Sequence, residues 1–147
     1  MSLFTDLEGV YAKGIASGIK TGGEKDLAYI YVPDAVGSAG VFTQNHCAAS
    51  CVIHSRSAMK KNVVKAVIVN SGNANCYTGK QGEQDTKTMA KAAAKALGLR
   101  AAEVAVASTG IIGKNLPIDA IEKAIGELCT GEDKDASAAA QAILTVD

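Results

Sequence analysis

Two hydroxyls and a glycine stand together at Ser108-Thr109-Gly110, directly after a short apolar run from Val104 to Ala107. Gly113 follows three residues later, and Pro117 opens a helical pattern. The spacing predicts a strand-to-helix turn with free backbone N–H groups and two exposed hydroxyls. Such a turn can hold an anion, either a phosphate or the oxyanion of an acyl-transfer intermediate. A phosphate loop needs Gly, four residues, then Gly-Lys-Ser/Thr. Gly113-Lys114 supplies the end, but Ser108 stands at the first glycine and Asn115 replaces the final hydroxyl residue. Acyl transfer asks only for two donors converging on one point. The Thr109 hydroxyl and the Gly110 N–H are adjacent candidates for that oxyanion hole. The same triplet also serves as a plain hydroxyl-bonded turn feeding a helix.

Other residues with chemical potential are weaker. His46-Cys47-x3-Cys51-x2-His54 has the residue types for zinc. Read as an extended segment, it puts the cysteines on one face and the histidines on the other, so four ligands would not converge. We expect two small core thiols, two surface or edge histidines and no metal. The four cysteines, at 47, 51, 76 and 129, are too irregular for a disulfide framework and read as reduced thiols. Asn70 to Gly79 reads as a rigid strand-to-helix turn that would line an acyl site if it lay beside Thr109. Lys114 could attract a carboxylate there, or simply be solvated.

The elements that must position these residues follow from pattern. Leu27 to Val32, Gly40 to Thr43, Ala49 to His54, Lys65 to Asn70 and Val104 to Ala107 read as strands. A helix is expected over Gln81 to Leu97, with Met89, Ala92, Ala93, Ala96 and Leu97 as its apolar stripe and Gly98 as its stop. Another begins at Pro117, burying Ile118, Ile121, Ala124, Ile125 and Leu128. Asp135 should cap a last Ala-rich helix running to Leu144. Residues 131–134 read as a loop between helices. The pattern is α/β, a sheet flanked by helices, in one domain over residues 1–147. The Val67 and Val104 strands should be neighbours or near neighbours in one sheet, opening at Asn70 and Ser108 on the same side.

Composition narrows the function. Fifteen basic residues balance fifteen acidic ones, and only 4% of residues are aromatic, so no charged field or stacking stripe points to nucleic acid. No apolar run approaches the ~20 residues of a membrane span. No signal-peptide pattern is visible, so a cytoplasmic location is expected.

Four blocks resemble the N-terminal, α-chain part of the ornithine acetyltransferases, also called glutamate N-acetyltransferases, of arginine biosynthesis. They are Gly18-Ile19-Lys20 with Lys25-Asp26-Leu27-Ala28; Ala39 to Asn45; Val67 to Asn75 with Thr78, Gly79 and Gly82; and Val106 to Gly113 with Leu116-Pro117. One local departure is Cys76-Tyr77 after Asn75, where the family usually has Ala-Cys; the loop length is kept. The resemblance implies a precursor that cuts itself into α and β chains. The new N-terminal threonine of the β chain then takes acetyl from N-acetylornithine and passes it to glutamate. Some members also accept acetyl from acetyl-CoA. It implies an oxyanion hole at Thr109 and Gly110, no cofactor, a sheet completed by the separate β chain, and an α2β2 assembly. No threonine of this sequence stands in the family's junction context, so the nucleophile is expected outside this chain, which alone should be inactive. A folded fragment that only pairs with the β chain, and an anion- or nucleotide-binding domain, are the alternatives.

Overall fold

The apolar runs around Leu27, Val67 and Val104 meet in one sheet. The computed structural model describes residues 6–145, so the ends of the expected 1–147 domain lie outside the described part. The strands are β1 (Tyr11–Ile15), β2 (Leu27–Tyr31), β3 (Ala66–Asn73) and β4 (Val104–Ile111). They lie in the order β1-β2-β3-β4. β2 runs antiparallel to both β1 and β3, and β3 and β4 are parallel. A parallel pair needs a long crossover, and α2 (Gly79–Leu97) supplies it. The sheet is therefore mixed, with helices packed around it.

Strand alternation sorts the side chains into layers. Leu27, Tyr29, Ala66, Ile68, Val104 and Val106 face α2 and α3 (Ile118–Leu128), where they form the main core. Ala12 and Ala28 face the other way, against Ala139 and Ala142 of α4 (Ala136–Ala142). Small residues on both partners let that helix sit close to the sheet. The Asp135 carboxylate accepts from the Ala138 N–H at 2.8 Å, the cap that the sequence predicts, but α4 ends at Ala142 rather than Leu144. Ile121, Ala124, Ile125 and Leu128 of α3 are buried as expected, while Ile118, in its first turn, is only half-buried. No described helix is long and apolar enough to cross a membrane.

Several expectations are corrected. Residues 49–54 are not a strand: α1 spans Ser50–Lys61. Residues 40–43 form no strand, and Val41 is fully exposed, because no neighbouring strand pairs with them. The buried stripe of α2 runs through Gly82, Asp85, Thr86, Met89, Ala90, Ala93 and Ala94, while Ala96 is exposed. Alanine tolerates either side of a helix, so a run of alanines does not mark the buried face. Strand β1 was not anticipated, since Lys13-Gly14 breaks its apolar pattern. The 131–134 loop is more than a connector. Lys134 bridges Ala12 in parallel, and Asp133 pairs with Lys13 at 3.0 Å.

Helix α1 solves the problem of a free strand edge. Ser55 Oγ donates to the Val106 carbonyl at 2.8 Å and accepts from the Val106 N–H at 2.9 Å. His54 Nε2 lies 3.0 Å from the Val104 carbonyl. Two side chains thus replace a fifth strand along β4. Ser55→Ala should strand both buried groups of Val106. We expect a loss of about 1–3 kcal/mol, read as a lower urea midpoint at unchanged m-value.

Candidate functional site

The carboxyl ends of β3 and β4 open on the same side, because the two strands are parallel and adjacent. Asn70 pairs with Ser108, Ser71 with Thr109, Gly72 with Gly110 and Asn73 with Ile111. The ladder therefore runs straight through Ser108-Thr109-Gly110, which is strand rather than turn. Ser, Thr and Gly are turn-compatible types, but β3 offers peptide groups along their whole length, and pairing overrides local preference. The chain turns only over residues 112–117, and Pro117 caps α3. Lys114 and the α3 start are thus not one phosphate-cradling loop, and the phosphate geometry expected of a strand-to-helix turn is absent.

Pleating separates the two hydroxyls. Ser108 follows Val104 and Val106 onto the helix-covered side, where its Oγ is buried. Thr109 is half-buried and Gly110 exposed. Both line a cavity of about 480 Å³, together with Ile19, Lys20, Gly72, Asn73 and Lys114. Of the pair, Thr109 lines the cavity and Ser108 does not. The Asn70–Gly79 segment does lie beside Thr109, but its first four residues belong to β3 and only the remainder turns.

Gly110 is required by its neighbour. Its φ is +125°, and a Cβ there would stand 2.3 Å from the Gly72 carbonyl carbon. Gly72, at φ +108°, would in turn push a Cβ to 2.7 Å from Ile19 Cγ2. Ile19, Gly72 and Gly110 therefore form a stack with no room for a side chain between them.

Polar side chains hold the surrounding loops. Asn70 Nδ2 donates to the Asn73 carbonyl at 2.9 Å, and Asn73 Nδ2 donates to the Asn115 carbonyl at 2.9 Å. The second bond ties the end of β3 to the segment after β4. Asn75 takes a left-handed φ of +46°, and its Nδ2 donates to the Gly82 carbonyl at 2.9 Å. Ser71 Oγ donates to the Ala142 carbonyl at 2.6 Å. Asp26 is fully buried and accepts from the Ser17, Ile19 and Lys20 N–H groups and from Ser17 Oγ. Sequence reasoning missed this last role, because a charged residue before an apolar run reads as ordinary loop. The Lys20 ammonium donates to the Leu144 carbonyl at 2.6 Å, and Lys20, Lys114 and Glu24 place two cations and one anion in the cavity wall.

No cysteine lines this cavity. Cys51 lies in α1 and is buried, whereas Cys47 is exposed, contrary to the expectation of two core thiols. Burial pushes the Cys51 thiol up and Cys129 up to about 12, so both stay protonated at neutral pH. His46 is exposed and His54 sits at the β4 edge. Residues 50–61 are helical, so Cys51 and His54 stand about one turn apart on α1 rather than on opposite faces of a strand. Among the described residues, no three His, Cys, Asp or Glu side chains gather to hold a metal.

Two substitutions test this framework. Gly110→Ala should force β4 away from Gly72 and cost about 2–4 kcal/mol, measured by denaturant unfolding. Asp85, on the buried face of α2, accepts from Gln81 Nε2 at 2.7 Å, but its other oxygen has no partner among the described residues. Burial raises its carboxyl above the usual range, against the lowering effect of Gln81. The folded state thus favours the protonated form, and stability drops as pH rises through that raised value. Asp85→Asn should be more stable than wild type at pH 7, with the advantage vanishing below about pH 4. Thermal melts across that range check it.

Comparison with known proteins agrees with this architecture. A model of the ArgJ family matches residues 11–147. The arginine biosynthesis bifunctional protein ArgJ of Gloeobacter violaceus is 46% identical over 145 residues, covering 97% of this chain and 36% of that protein. The protein of the same name from Streptomyces avermitilis is 44% identical over 148 residues, covering 97% and 38%. The chain spans about a third of the length of the curated relatives it matches. The crystal structure of arginine biosynthesis bifunctional protein ArgJ from Bacillus halodurans superimposes with a TM-score of 0.91 at 36% identity, covering 99% of this chain and 77% of that one. That of ornithine acetyltransferase from Mycobacterium tuberculosis, complexed with ornithine, gives 0.91 at 38% identity, covering 97% and 79%. With sequence model, relatives and fold in agreement over nearly its whole length, this chain belongs to the ArgJ family.

Proposed function

We propose that this chain is the N-terminal α-chain part of a cytoplasmic arginine-biosynthesis acetyltransferase that moves acetyl from N2-acetylornithine to glutamate. The proposal rests chiefly on one observation. Thr109 and Gly110 share a cavity at the carboxyl ends of two parallel strands. The nucleophile is the N-terminal threonine of a β chain cut from the same precursor, and the working assembly is α2β2. None of the threonines described here plays that part, so the α chain alone transfers no acetyl group.

In this scheme the β-chain amine takes the proton of its own threonine hydroxyl, and the oxygen attacks the acetyl carbonyl. The Thr109 O–H and Gly110 N–H donate to the developing oxyanion. Collapse expels ornithine, which leaves with the proton, and an acetyl-threonine ester remains. The glutamate amine attacks that ester through a second oxyanion at the same place. N-acetylglutamate departs and the threonine hydroxyl is restored. Acetyl-CoA could load the same ester by the same path.

Two further features support the proposal. The mixed charges of Lys20, Lys114 and Glu24 in the cavity wall suit amino-acid substrates that carry both signs. Ile111, Ile112 and Leu144 are 58%, 66% and 62% exposed, apolar surface that a β chain would cover.

Thr109→Ala in the complete, cleaved enzyme is the decisive test. Loss of one oxyanion donor should lower kcat by about 10²–10³-fold, with little change in KM. Thr109→Ser keeps the hydroxyl and should retain most activity. Wild-type kcat in Thr109→Ala would leave Thr109 as a strand residue without a catalytic role.

A further inference from the structure

A fully buried carboxylate that serves only a surface loop requires a reason. Asp26 is 0% exposed and sits just before β2. Its Oδ1 accepts from the Ser17 N–H at 2.6 Å and from Ser17 Oγ at 2.7 Å. Its Oδ2 accepts from the Ile19 and Lys20 N–H groups at 2.7 and 2.9 Å. Four donors from one four-residue stretch satisfy the buried carboxylate, and no cation among the described residues pairs with it. The Asp26 carbonyl also accepts from the Ser71 N–H at 2.8 Å. One residue thus grips the 17–20 loop with its side chain and β3, beside Gly72, with its backbone.

The gripped loop presses on the candidate oxyanion hole. Ile19 stands against Gly72, where an added Cβ would meet its Cγ2 at 2.7 Å. Gly72 stands against Gly110, whose added Cβ would meet the Gly72 carbonyl carbon at 2.3 Å. Gly110 cannot shift toward β3 without displacing Gly72, and Gly72 cannot retreat without displacing Ile19. We propose that Asp26 is a positioning residue: through Ile19 and Gly72 it fixes where the Gly110 N–H points. This rests on Gly110 being an oxyanion donor, as proposed above. A donor needs to be placed within a fraction of an ångström, and a misplacement of about 1 Å can cost 10²-fold in rate.

The test uses the complete, cleaved enzyme and follows one turnover of acetyl from N2-acetylornithine onto the nucleophile. The amplitude counts competent sites, so partial unfolding separates from slow chemistry. Asp26→Asn presents an amide N–H₂ to one pair of donors and should loosen the loop. We expect an unchanged amplitude, an acetylation rate lower by about 10–100-fold, and a KM within about threefold of wild type. Ile19→Ala keeps the Asp26 clamp and removes the brace, so the same rate should fall by a smaller factor. Ile19→Val retains Cγ2 and should restore it. If Asp26→Asn does not fold, the Ile19→Ala and Ile19→Val pair decides alone. Wild-type acetylation per site in Asp26→Asn, or equal rates in Ile19→Ala and Ile19→Val, overturns the inference. Thr109→Ala run alongside separates the two failures. If it is slow while the Asp26 and Ile19 variants are not, only the positioning role falls. If it matches wild type while the Asp26 and Ile19 variants are slow, Thr109 is no donor and the positioning of Gly110 stands; if all match wild type, the oxyanion assignment and the positioning role fall together.

Discussion

The contact between Gly72 and Gly110 is the constraint on which the site depends. Parallel pairing brings these residues into register, and neither tolerates a Cβ where it stands. Both take positive φ, which costs a glycine little and other residues much. Close approach of the two backbones lets β3 and β4 stay paired to Ile111, past the point where the apolar runs end. It therefore holds Thr109 and Gly110 on a rigid ladder rather than on a loop. A ladder places donors more reproducibly than a loop does, which is what the proposed oxyanion hole would require.

The parallel pair has structural consequences of its own. It demands a crossover, and α2 both makes it and supplies Met89, Ala90 and Ala93 to the core. It leaves β4 as an edge, and α1 covers that edge with Ser55 and His54. It also leaves strand ends whose backbone groups need partners. Asn70, Ser71 and Asn73 sit at the end of β3, all buried, and each donates to a backbone carbonyl. These polar residues do the work that further strands would do in a larger sheet. Asp26 belongs to the same scheme, with a charge in place of an amide because four donors converge on it.

Membership of the ArgJ family gives these features a setting. In this chain the cavity at the strand ends carries lysines and a glutamate around a threonine and a glycine. Large apolar side chains lie exposed next to it. A site so open and so apolar at its rim suits completion by another polypeptide, as the proposed β chain would do.

What the sequence determined by itself was local and periodic. The continuous apolar runs at 27–31 and 66–69 marked strands, the amphipathic spacing of residues 118–128 marked α3, and Asp135 marked a cap. The quoted motifs were sufficient for the family. The parallel neighbourhood of β3 and β4 also followed, because two buried strands joined by one helix have few other arrangements. The tertiary structure decided wherever a distant partner outweighs local preference. Ser108-Thr109-Gly110 reads as a turn until β3 is alongside it. Residues 49–54 read as a short apolar strand, yet 50–54 coil into α1, where Ser55 reaches the edge of β4. The stripe of α2 shifted among alanines that carry no directional signal. Asp26 could not be recognised at all, since its partners become partners only when residues 17–20 fold back over it. Hydrogen bonds and close contacts between separate segments are set by register and approach distance, and neither is written in the spacing of residues along one segment.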